Sequence, residues 1–216
     1  MSSQSRASAQ AIAPSLLLLT VFYGGMVTIA GVLGAKQVAL GPLAVEAGIF
    51  PFLLLISISS AVAELHGKPV ADRLARFGFA PLIGAILLSF FVLQLPTDPG
   101  MYEPAKAAFP VILGQSWRMM AAGVVAYGVS LTLNIWIFSR LRQAVGTVVP
   151  LRGFIAAACS QVIDTLIFIT ISFYGVRPIG ELMLGQMIAK LVLSAVLVPA
   201  VIWLVVRIGR RLDAKG

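Results

Sequence analysis

The chain has 216 residues, 59% of them hydrophobic and 11% charged, with a mean hydropathy of +0.99. Soluble domains carry about half apolar and a quarter charged residues, so this composition excludes an ordinary soluble protein and identifies an integral membrane one. The net charge of +8 does not call for nucleic acid, because the basic residues fall between apolar runs and not along one face.

About 20 apolar residues cross the hydrocarbon core, and six runs are predicted to do so: Pro14–Ala35, Gly48–Ala63, Phe77–Leu95, Met119–Phe138, Gly153–Val176 and Leu182–Val206. Residues 1–216 are read as one integral membrane domain. The first run is too long for a signal-peptide core and lacks a convincing cleavage site, so it counts as a helix. Its pairs Gly24/Thr28, Ala30/Gly34 and Gly31/Ala35 have the small-xxx-small spacing of close helix packing, here expected to be internal. The second run is short, with Glu46 and Glu64 marking its polar flanks, and Pro51 predicts a kinked or broken start. His66 is expected to be a solvated loop residue. Residues Pro96–Pro104, rich in proline and glycine, form a loop on the outer side. Cys159 lies in the fifth run, where it reads as a small buried hydrophobe with no disulfide partner and no cysteine metal cluster.

Six spans put both termini on one side. Arg6, Lys68, Arg73, Arg76, Arg140, Arg142, Arg152, Arg207, Arg210, Arg211 and Lys215 share that side, against Lys36, Lys106, Arg118 and Arg177 on the other. The positive-inside rule therefore predicts cytoplasmic termini.

Polar residues within the spans fall in stripes: Ser57, Ser60 and Glu64; Tyr127, Ser130 and Asn134; Ser160, Gln161, Asp164 and Thr165; Gln186, Lys190 and Ser194. Spacings of three and four put each set on one helical face, and four such faces imply a shared polar interior. Its hydroxyls and Gln186 are adequately explained as interhelical hydrogen bonds. Asp164 and Lys190 are different, because a charge at mid-depth is expensive unless paired, hydrated or used. They are expected either to form a structural ion pair or to serve a ligand or coupling role.

No phosphate-binding glycine loop, zinc-spaced histidine pair or glycine-flanked nucleophilic serine occurs in the sequence. An enzyme is not expected, nor is a cofactor or bound metal. Passive transport, ion-coupled transport and dependence on a separate energising subunit stay open.

A family resemblance rests on stretches that run through most of the chain in order. They are Ala35-Lys36, Ala47-Gly48-Ile49-Phe50-Pro51-Phe52, Ala63-Glu64-Leu65-His66-Gly67-Lys68, Arg118, Phe138-Ser139-Arg140-Leu141-Arg142, Ser160 through Phe168 with Gln161 and Asp164, and Lys190. In these the chain resembles the queuosine precursor transporter family, also called the vitamin uptake transporter family. Where its members often carry an aspartate, an acidic residue and an asparagine, this chain has Ser60, Asn134 and Gly31.

The resemblance implies an all-α bundle of six transmembrane helices in the bacterial inner membrane. It also implies import of a 7-deazaguanine base, such as the cyano or aminomethyl precursor of queuosine. A guanine-like edge offers adjacent N–H donors that one carboxylate accepts together, suiting Asp164 or Glu64, while Gln161 or Asn134 serves the carbonyl and ring nitrogen. Tyr23, Phe52, Tyr127 and Phe168 are available to stack on a flat base. Lys190 is expected to neutralise Asp164 until the ligand arrives, and Lys36 and Arg118 join the candidate substrate-binding set as matched cations. The pocket is expected between spans one, two, four, five and six. Its partners are a small heterocyclic molecule and the bilayer, with no nucleic acid; a homo-oligomer or an energising partner stays open. Two other classes are weighed: the substrate-binding component of an energy-coupling-factor importer, which docks through small residues on its first helix, and a membrane-embedded enzyme or assembly factor.

Overall fold

The computed structural model describes residues 12–41, 43–114, 117–175 and 179–215. Its helices are α1 (Pro14–Gly34), α2 (Ile49–His66), α3 (Lys68–Phe77), α4 (Phe79–Gln94), α5 (Glu103–Leu113), α6 (Trp117–Val145), α7 (Val149–Phe173) and α8 (Gly180–Asp213). Strands β1 (Gln37–Leu40) and β2 (Leu43–Glu46) form a hairpin between α1 and α2. Among the described residues six helical segments are long and apolar enough to cross a membrane, with α3 and α4 together making the third. The chain is an all-α, six-span membrane bundle.

Helix starts follow proline chemistry. Proline occupies one of the first two positions of α1, α3, α5 and α7, where its fixed φ suits a helix and its missing N–H has no intrahelical acceptor. Pro51 obeys the same rule as the third residue of α2, within the first four donors that a helix leaves unpaired. The break expected there does not occur: α2 runs unbroken from Ile49 to His66. Gly67 (φ 87°) separates α2 from α3, a left-handed conformation that glycine adopts without a Cβ clash.

Every residue of α2 from Leu55 to Ala63 is buried, as expected of a helix that is apolar all round and sits at the centre. It packs on α1, α8 and α6, while α6, α7 and α8 pack in sequence. α4 buries no residue. Leu87, Leu88, Phe90 and Phe91 are each at least 60% exposed, which in a bilayer is lipid contact and not strain.

Several expectations need correction. The predicted third span, Phe77–Leu95, corresponds to α4, but α3 ahead of it was missed in the sequence, an amphipathic helix that buries Ala71, Leu74 and Ala75 and leaves Arg73 and Arg76 outside. The predicted loop ends early, because α5 begins at Glu103 within it and runs to Leu113. The small residues of α1 do not mediate broad internal packing: a Cβ built on Gly24, Gly25, Gly31 or Gly34 meets nothing within 4 Å. Close approach is confined to the start of α2, where a Cβ on Gly48 would lie 3.0 Å from the carbonyl oxygen of Ala30. Cys159 is exposed on the outer face of α7. The predicted end of the fifth span, Val176, and the cations Arg6 and Arg177 lie outside the described residues.

His66 is a helix terminus and not a free loop residue. Its Nε2 lies 2.8 Å from Ser15 Oγ, and Ser15 donates to both carboxylate oxygens of Asp213, from N at 3.0 Å and from Oγ at 2.7 Å. This cluster ties the start of α1, the end of α2 and the end of α8 together at the end of the bundle that carries the termini.

Candidate functional site

α6 and α8 run toward that end and α7 runs away from it, so a polar stripe on each can meet the others level by level. At the upper level Asp164 of α7 accepts from Lys190 Nζ at 2.8 Å on one oxygen and from Ser130 Oγ at 3.2 Å on the other. The side chains of Asp164 and Lys190 are 11% and 12% exposed, a partly desolvated pair.

One helical turn down, about 5.4 Å, the same three stripes present Asn134, Gln161 and Ser194. Asn134 Nδ2 donates to Ser60 Oγ of α2 at 3.0 Å. Neither amide atom of Gln161, which is 1% exposed, has a hydrogen-bond partner among the described residues, and the same holds for Asn134 Oδ1 and Ser194 Oγ. Each unpaired buried group costs about 1–3 kcal/mol, so this level is built to meet something polar. The predicted stripes thus converge: Ser57, Ser60, Ser130, Asn134, Ser160, Gln161, Asp164, Thr165, Gln186 and Ser194 are all buried.

Above Asp164 lies a cavity of about 190 Å³, extending toward the end opposite the termini. Glu46, Asp164, Lys190 and Gln186 supply its polar wall; Phe52, Tyr127 and Phe168 supply rings. Gly31, Gly34 and Gly123 line it with bare backbone, and no neighbour would obstruct a Cβ on any of them. Their missing side chains are therefore the space itself. Leu82 and Ile86 of α4 line it too, so the third span contributes to the pocket beside the five expected.

Other candidates lie elsewhere. Glu64 is at the terminal end, where Arg152 Nη1 donates to it at 2.9 Å and Arg210 Nη2 approaches to 3.9 Å. Arg152, 2% exposed, also donates from Nε and Nη2 to the Phe138 carbonyl, both at 3.2 Å, and lies 4.2 Å from that residue's ring centroid. This buried cation and its role were missed in the sequence, where it reads as one more positive-inside arginine. Lys36 is exposed on the connection from α1 to β1, outside the cavity lining. Arg118 donates from Nε to the Ile171 carbonyl and from Nη2 to the Tyr174 carbonyl at 2.7 Å, fastening the start of α6 to the end of α7. Tyr127 and Tyr23 share a 2.9 Å hydroxyl contact, and the ring of Phe79 meets Tyr127 edge-on at 5.0 Å. Tyr23 itself is absent from the cavity lining. Among the described residues no group of three or more His, Cys, Asp or Glu could hold a metal ion.

A bundle of six spans with a polar-walled cavity open at one end has the construction of a membrane transporter. Comparison with known proteins gives the class its family: the profile described as "Putative vitamin uptake transporter" matches residues 46–204. The chain belongs to that family. A relative from Bacillus subtilis (strain 168), described as "Probable queuosine precursor transporter", is 26% identical over 164 residues, covering 74% of this chain and 70% of the relative. No solved structure matches.

Proposed function

We propose that this protein imports a 7-deazaguanine base, of the kind from which queuosine is made, across the bacterial inner membrane. The observation that carries the reading is the Asp164–Lys190 pair on the cavity wall. A guanine-type edge presents a carbonyl acceptor beside two N–H donors, and a lysine beside a carboxylate is its complement: Nζ–H to the carbonyl, the two carboxylate oxygens to the N–H groups. The ligand takes over the hydrogen bonds that Asp164 and Lys190 now make to each other, so little polar surface is left unpaired on entry. A volume of about 190 Å³, below the roughly 300–1,000 Å³ of drug-sized sites, suits one bicyclic ring between aromatic walls. The name of the Bacillus relative supports the same substrate class.

Transport follows an alternating-access scheme. The cavity opens away from the termini, while Ser15, His66 and Asp213, together with Glu64 and Arg152, hold the other end closed. Charge asymmetry makes the closed end cytoplasmic. Gln161, Asn134 and Ser194 then line the way down from the Asp164 level.

Uptake of labelled 7-cyano- and 7-aminomethyl-7-deazaguanine by cells unable to make them tests the reading. The wild type is expected to restore uptake, and Asp164→Asn to reduce it by roughly tenfold or more, since a carboxylate hydrogen bond is worth about 1.5–3 kcal/mol. Normal uptake by the variant removes Asp164 from the site; absence of uptake by the wild type removes the substrate.

One observation favours a second reading, the substrate-binding subunit of an ATP-driven importer. Gly24 and Gly25 of α1 have no neighbour in the bundle, which leaves that face available to another membrane subunit. Copurification with an ATPase, and uptake that collapses with ATP but not with the ion gradient, would decide for it.

A further inference from the structure

A second cavity, of about 750 Å³, lies at the terminal end between the α6–α7 turn and the last turns of α8. Arg142, Arg207, Arg210 and Arg211 line it, and all four are exposed. Glu64 also lines it, but that carboxylate already holds Arg152 at 2.9 Å and meets Arg210 only at 3.9 Å. Arg207 stacks 5.1 Å from the centroid of Trp203, whereas the charges of Arg142 and Arg211 meet no carboxylate among the described residues. The chain cannot supply the missing anions from residues 1–11, which contain Arg6 and no acidic residue. Asp72 and Asp213, the other acidic residues of this end, are engaged by Lys68 and Ser15. Four cations around one carboxylate call for negative charge from outside the protein.

We infer that this cleft is a binding site for the phosphate headgroup of an anionic phospholipid of the inner leaflet. The remaining wall decides between a lipid and a free phosphate. Val148, Pro150 and Val206 line the cleft with apolar surface. Trp203, 52% exposed, stands at its edge, and exposed Leu204 and Ile208 continue along the outer face of α8. A tryptophan between an arginine cluster and a lipid-facing apolar strip marks headgroup depth, and basic pockets between helices on this side of a membrane suit anionic headgroups. The phosphate sits among the arginines while an acyl chain lies along Trp203 and Leu204. Bound there, the lipid bridges the α6–α7 turn to the end of α8, elements joined on the protein side through Glu64 and Arg152.

The test uses the purified full-length protein in detergent micelles, with native mass spectrometry and thermal unfolding read against added phosphatidylglycerol or phosphatidylcholine. Phosphatidylglycerol is expected to bind and to raise the unfolding midpoint, phosphatidylcholine to do neither. The variant Arg142→Gln/Arg211→Gln removes two charges that hold no carboxylate and is expected to fold normally, as its lipid-free unfolding midpoint will show. Its affinity for phosphatidylglycerol is expected to fall by roughly tenfold or more. Arg73→Gln/Arg76→Gln takes the same charge from α3, outside the cleft, and is expected to bind as the wild type does. Equal binding of the two lipids, equal losses in both variants, or full displacement of phosphatidylglycerol by millimolar inorganic phosphate would each overturn the assignment.

Discussion

Arg152 and Lys190 are both cations within an apolar bundle, and their surroundings give them opposite tasks. Arg152 is saturated: one carboxylate, one carbonyl taken twice and an aromatic face. Removing one partner of such a pair leaves a buried charge, so Arg152→Met is expected to destabilise the fold by about 3–5 kcal/mol, and adding Glu64→Leu to recover most of that. Thermal unfolding in detergent measures both. Lys190 has Asp164 and a cavity in front of it. Lys190→Met is expected to keep the fold, because Asp164 faces the cavity, where water can take the place of Nζ, and to lose at least about tenfold in uptake. Unchanged uptake and binding would rule out the exchange of Lys190 between carboxylate and ligand. Asp164 and Lys190 stood out in the sequence because each is a lone charge in an apolar run. Arg152 did not, because it lies at the edge of a run, among arginines that topology alone explains.

At the scale of elements, the third span turns on Gly78. A Cβ there would collide with the Tyr127 hydroxyl and lie 2.7 Å from a ring carbon of Tyr23, so the junction of α3 and α4 lies directly against side chains from α1 and α6. Gly78→Val is expected to cost about 1–3 kcal/mol through overpacking and to weaken uptake by displacing Tyr127 from the cavity wall. Gly31→Leu is the contrasting case. Its side chain enters open space, so the unfolding midpoint is expected to hold while uptake is lost, and a filled cavity that still transported would refute the location of the site. Hydropathy located the six spans but not their ends. α6 continues to Val145 and α8 to Asp213, carrying Arg140, Arg142, Arg207, Arg210 and Arg211 past the predicted limits, because helical hydrogen bonding does not stop where apolarity does. The hairpin was hidden for another reason: strands of four residues are too short for an alternating pattern to be read.

For the molecule as a whole, the ties at the terminal end are a gate if the protein alternates between two openings. Ser15→Cys/Asp213→Cys, made with Cys159→Ser, is expected under oxidation to block uptake reversibly, with recovery on reduction. A cysteine at Gly123 is expected to stay reactive to external thiol reagents in the locked protein. Full transport after cross-linking would show that this end does not open. The polar interior was legible as four stripes, and the structure adds that those of α6, α7 and α8 meet in two levels, the lower of which is paired only through Asn134 and Ser60 of α2 among the described residues.

Arg118 carries a consequence for selectivity. By binding the Ile171 and Tyr174 carbonyls it ties the start of α6 to the end of α7, the two helices whose Met119 and Phe168 line the cavity. The opposite rim, α1 against α4 and α4 against α6, is only lightly joined. The entrance is therefore expected to act as a sieve with one fixed jaw and one yielding jaw, sorting solutes by girth before any hydrogen bond is offered.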